Sequence, residues 1–158
     1  MHPILRNSLF ALEATAKEFQ SGLKTIAADH AVGKNHRQIA SINLLKDLSL
    51  RIDTALCALL ADSCWLGHWY WKGPNLNVLR SIHLGCLANR GLIDAIALME
   101  TSRVSLFSHS AIRQLIITWC RFQKSAHCIR QALSHPAPRR KNLSWARSRQ
   151  PVSTGALI

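Results

Sequence analysis

Residues 39–75 read IASINLLKDLSLRIDTALCALLADSCWLGHWYWKGPN, and the spacing of their apolar side chains decides the fold. Leu45, Leu48, Ile52, Leu56 and Leu59 recur at steps of three and four, so on a helix they line one face. Almost opposite runs a second stripe, Leu50, Cys57, Ala61, Cys64 and His68, at steps of three, four or seven. A helix with two apolar faces has two neighbours to bury against, and a bundle of its own with a second subunit outside it satisfies both. Gly73-Pro74 then breaks the pattern, because proline lacks the amide hydrogen a helix needs. The long helix is therefore expected over about 39–71, with His68 in its last turn. An imidazole there is a capping cation, a packed core group or a metal ligand on a rigid element.

Upstream, after a short leader, SLFALEATAKEFQSGLKTIAADHA is a first amphipathic segment closed by Gly33, with Glu13 and Lys17 spaced as a helical i,i+4 pair. Downstream the helical pattern resumes through Leu79, Ile82, Cys86, Ile93 and Ala97. Gly85 and Gly91 each weaken that helix by roughly 1 kcal/mol relative to alanine. Residues 103–134 supply a last helix, although Ile116-Ile117-Thr118 suits a strand nearly as well. From Ser134 onward SHPAPRRKNLSWARSRQPVSTGALI holds three prolines and five basic residues and reads as a disordered tail. The expected architecture is all-α: a helical domain over 1–133 and a flexible basic tail over 134–158.

The chain of 158 residues carries 20 Lys and Arg against 8 Asp and Glu, and the imbalance is local. Residues 1–100 hold ten basic and eight acidic groups, whereas residues 101–158 hold ten basic groups and no acid. A cationic half of this kind attracts polyanions through counterion release, nucleic acid and anionic membrane surface being the two candidates. A solvated basic face with no partner is the simpler alternative. Arg139, Arg140, Lys141, Arg147 and Arg149 suit phosphates, and Trp145 suits base stacking, without specifying a sequence.

Five cysteines, Cys57, Cys64, Cys86, Cys120 and Cys128, form no C-x-x-C pair and follow no secretory signal, which favours reduced thiols in a cytoplasm. The longest apolar run, TALCALLADSCWLGHWYW, is interrupted by Asp62 and His68, so no membrane partner is expected. Trp65, Trp69 and Trp71 read as packing or subunit-contact residues before base-stacking ones.

The phrase HWYWKGPN, closing a long helix and followed by a helix with another histidine, resembles the Dps proteins, the DNA-protecting miniferritins of the ferritin-like superfamily. His68-Trp69 and Gly73-Pro74-Asn75 match that family's helix end and turn, and residues 39–67 share the leucine-rich character of its first bundle helix. The resemblance implies a ferritin-like four-helix bundle assembling into a homo-oligomeric shell, a dodecamer in the family's usual form. Its implied activity is to oxidise and store iron between subunits and to protect DNA, bound non-specifically through basic tails in a cytoplasmic nucleoid.

The ligands implied for iron (Fe²⁺/Fe³⁺) are His68, His83 and Asp94, imidazole and carboxylate being donors that suit a ferroxidase. Arg80 stands where the family's second histidine falls, with His83 three residues on; Leu87 and Leu98 stand where further acids are usual. His83 and Asp94 lie on one helix ~16 Å apart along its axis, so an antiparallel copy is needed to bring Asp94 near a histidine. Two alternatives stand beside this reading: a small basic helical DNA-binding or adaptor protein without redox chemistry, and a frame-disrupted remnant of the family, which would also lose its acids together.

Overall fold

The computed structural model describes residues 1–32, 35–69, 75–101 and 109–134, with side chains for all of these except 35–39, 68, 69, 101 and 109. It forms an all-α four-helix bundle: α1 (Pro3–Ala31), α2 (Asn35–Trp69), α3 (Leu76–Thr101) and α4 (His109–Ser134). Three devices set the helix ends. Pro3 opens α1, where its missing N–H costs nothing, and the His2 ring accepts from the Ile4 amide at 3.4 Å. The Val32 amide closes that helix by donating to the Ala28 carbonyl at 3.2 Å. Asn75, the last residue of the sequence break, caps α3: its Oδ1 accepts from the amides of Asn77 (3.2 Å) and Val78 (3.4 Å).

Cross-helix contacts fix the direction of every neighbour. Ser8 meets Asp62 and Glu18 meets Arg51 between α1 and α2, while Lys46 meets Glu100 and Ser49 meets Asn89 between α2 and α3. A Cβ on Gly85 would lie 3.0 Å from Ile129, and one on Gly91 would lie 3.1 Å from Thr118. In each pair one number rises as the other falls, so all four helices run up-down-up-down. The connections between them are correspondingly short, none long enough to carry the lengthwise crossover of ferritin-like bundles.

The expected core face of α2 is buried in full, with Leu45, Leu48, Ile52, Leu56 and Leu59 at 0–1% exposure. Each such leucine or isoleucine contributes roughly 1.5–3 kcal/mol by leaving water. In α3 the core face is Val78, Ile82, Leu92, Ile96 and Met99; of the stripe expected from sequence only Ile82 is buried, and Ala97 is exposed. The two glycines explain the difference. Gly85 is buried against Leu56 of α2 and Ile129 of α4. Close approach of the helices recovers what the glycine costs in propensity. Residues 109–134, in the half without acids, complete the bundle as a helix through Ile112, Leu115, Trp119, Phe122, Ile129 and Leu133. Ile116-Ile117-Thr118 belongs to that helix, Thr118 Oγ1 donating to the Gln114 carbonyl at 2.8 Å.

One polar group is built into the α2–α3 seam. Asn89 is wholly buried; its Nδ2 donates to the Ser49 carbonyl at 3.1 Å and, more weakly, to Asp53 Oδ1 at 3.5 Å, while its Oδ1 has no partner among the described residues. Asn89→Ala removes those bonds together with the unsatisfied oxygen, so the loss is partial. Thermal melts should show a cost of roughly 1–2 kcal/mol; no loss at all would mean that the seam is not closed over this residue.

Candidate functional site

α2 keeps an apolar outer face as well as a core face, and α3 a mixed one, where leucines alternate with Arg80, His83, Arg90 and Asp94. Leu50, Cys57, Ala61 and Cys64, the second stripe of the sequence, are exposed on α2, and Leu76, Leu87 and Leu98 are exposed on α3. Trp65 is 47% exposed beside them, outside the monomer core. Leu76–Glu100 is long and apolar enough to cross a membrane by length and composition alone, as the core helix of a bundle also can be.

The three candidate iron ligands are spread along this outer face. His68 lies in the last turn of α2, one step of four beyond Cys64, with its side chain outside the described residues. His83 and Asp94 are both exposed on α3, and Asp94 lies 3.8 Å from Arg90. The seam register, Leu56 opposite Gly85 and Lys46 opposite Glu100, sets their levels. His83 stands near position 58 of α2 and Asp94 near position 48. At 1.5 Å per residue, His68, His83 and Asp94 therefore follow one another at intervals of ~15 Å, and one subunit cannot hold one ion with any two of them. A two-fold axis at the level of His83 would bring Asp94 of a second copy to the level of His68. In that arrangement His83 meets its own counterpart, so the three residues separate into two kinds of position. Among the described residues no three His, Cys, Asp or Glu side chains of one chain are grouped so that they could hold a metal ion.

The other acids serve the bundle. Glu100 takes Lys46 Nζ with both oxygens at 3.0 Å, Glu18 pairs with Arg51 at 3.1 Å, and Asp62 accepts from Ser8 at 2.6 Å. Glu13 is held by Arg130 of α4, at 2.6 Å, in place of the Lys17 pairing its spacing suggested. Exposed pairs of this kind stabilise by ~0–1 kcal/mol each, so they set register more than stability.

All five cysteines are free, with Cys86 half-buried and the other four exposed. Burial pushes the Cys86 thiol up, and the neighbouring Cys57 and Asp53 add to the rise. A raised thiol forms less thiolate, the reactive species. Iodoacetamide at neutral pH should therefore modify Cys57, Cys64, Cys120 and Cys128 before Cys86, read by peptide mass; early labelling of Cys86 would place it outside the seam.

A basic surface that sequence reasoning left unassigned lies on α4. Arg113, Arg121 and Lys124 are exposed at steps that keep them within one outward sector, and no acid among the described residues pairs with them. The signal was present as the acid-free half, but its helical phase needed the core face of α4 to be known. The tail candidates, Arg139, Arg140, Lys141, Arg147 and Arg149, follow directly in the chain and lie outside the described residues.

The fold and these surfaces define a class: an antiparallel four-helix bundle with an apolar outer stripe on α2 and a cationic α4. No protein-family model, curated protein or solved structure matches the chain.

Proposed function

We propose that the chain is a subunit of Dps-like function on an up-down-up-down bundle, one that associates with copies of itself through the outer face of α2 and α3 and binds DNA non-specifically through α4 and the basic tail, iron being bound and oxidised between copies. The observation that carries this reading is the acid-free half: ten basic groups follow residue 100 without one carboxylate, and Arg113, Arg121 and Lys124 share an outward sector leading toward the tail. A unit of this sign releases counterions on any phosphate backbone and needs no base contact to bind. The apolar outer stripe of α2, flanked by the exposed leucines of α3, supports self-association, because it repeats the periodicity that the core face of α2 uses. Iron handling rests on the HWYWKGPN resemblance and on the common level that a two-fold axis at His83 would give His68 and Asp94 of a second copy.

The test has two arms. Size-exclusion at near-physiological salt should give a particle many subunits in mass. Addition of Fe²⁺ without oxygen, followed by air, should give a ferric absorbance rise that His68→Ala lowers severalfold. A monomer with no ferric signal removes both iron and assembly from the proposal.

A second reading keeps DNA or adaptor binding and drops the redox chemistry. It is favoured by the Arg90–Asp94 ion pair, which already engages the only candidate carboxylate, and by the ~15 Å intervals between candidate ligands. On that reading DNA retention persists with no ferric signal.

A further inference from the structure

We infer that the seam between α1 and α4 is a binding site for a small amphipathic anion, an apolar body bearing one carboxylate. α1 and α4 pack against each other over far less of their length than any other neighbouring pair, and a groove of about 250 Å³ runs along their junction. Its wall is apolar: Leu9, Leu12 and Ala16 from α1 face Trp119, Phe122 and Ala126 from α4. The volume falls below the ~300 Å³ at which pockets for drug-sized ligands begin, so it fits a short aliphatic or single-ring body.

The rim fixes the sign of the ligand. Glu13, the groove's carboxylate, is held by Arg130 at 2.6 Å, and that pair bridges the two helices. Lys17 and His127 also stand at the rim, and Lys17 forms no ion pair among the described residues. One paired acid with one unpaired lysine beside it favours an anionic head over a cationic one. Trp119 lends its ring to that wall and is itself 4% exposed. The chain's own tail is the competing occupant, and its net charge is wrong: residues 135–158 carry five basic side chains and no acidic one.

The experiment titrates the full chain with octanoate, octanol and octylammonium by calorimetry in low salt. Saturable one-to-one binding is expected for octanoate, with octanol weaker and octylammonium weakest. Lys17→Glu should weaken octanoate roughly tenfold, the effect of reversing one rim charge, and leave octanol unchanged. Ala126→Trp, which fills the groove from its wall, should abolish binding of all three while circular dichroism stays helical. The ligand series on the unmodified protein decides the matter even if either variant fails to fold. Equal affinity for octanoate and octylammonium, or no saturation by octanoate, overturns the proposal. So does octanoate binding that appears only after removal of residues 135–158, since the tail would then be the natural occupant.

Discussion

Trp119→Ala should lower stability by roughly 3–5 kcal/mol and the melting temperature by roughly 10 °C or more, the largest loss expected from any single truncation in α4. Trp119 stands between two rings, 4.6 Å from Phe19 of α1 and 5.4 Å from Phe122 of its own helix, in stacked geometry. Phe19 and Phe122 are both fully buried. Elsewhere α4 leans on α3; toward α1 its junction is open, and this aromatic stack with the Arg130–Glu13 pair is what closes it. Removing the indole therefore leaves a cavity at the one place where the fourth side of the bundle is held. The control is Trp119→Phe. Because Nε1 has no partner, no hydrogen bond is lost, and the cost should fall to roughly 1–2 kcal/mol for the missing volume. Urea melts of the two variants measure the difference. If alanine costs less than about 1 kcal/mol, α4 does not dock on α1 through these rings.

That stack was not legible in the sequence, whereas α2 was. Leu45 to Leu59 repeat at helical spacing without interruption, and that face of α2 is buried as the period required, while Leu50, Cys57, Ala61 and Cys64 of the second stripe are exposed in the single chain. α3 defeated the same reading because two of its contacts are made by glycines: hydrophobic periodicity registers side chains, and Gly85 meets Leu56 and Ile129 by having none. The seam asparagine was invisible for a related reason, since Asn89 is polar by composition and buried only because Ser49 offers it a carbonyl. Glu13 shows the limit of local rules. Its i,i+4 partner Lys17 was available, yet Arg130, 117 residues away, takes both the charge and a 2.7 Å hydrogen bond from Nε. Levels along the bundle carried the most information about the candidate ligands, and a level exists only once two helices are paired. The distance between His83 and Asp94 followed from one helix; the distance of either from His68 needed the α2–α3 register.

Deleting residues 135–158 should change DNA binding more than any point substitution, and the quantity to read is the salt slope. Each phosphate neutralised contributes about 0.9 to the slope of log K against log salt on duplex DNA. The tail holds five Lys and Arg, so its removal should flatten the slope by up to ~4.5 and, at moderate salt, weaken affinity a hundredfold or more. Arg113, Arg121 and Lys124 of α4 supply a separate share, and replacing all three with alanine should flatten it by up to ~3. The two effects act on different segments and should add when combined. Because phosphate contacts carry no sequence information, both losses should be alike on unrelated duplexes. A slope unchanged by tail removal but reduced by the α4 substitutions would assign the interface to the bundle alone. A slope unchanged by either would mean that the cationic half does not meet phosphate, and DNA association would fall with it.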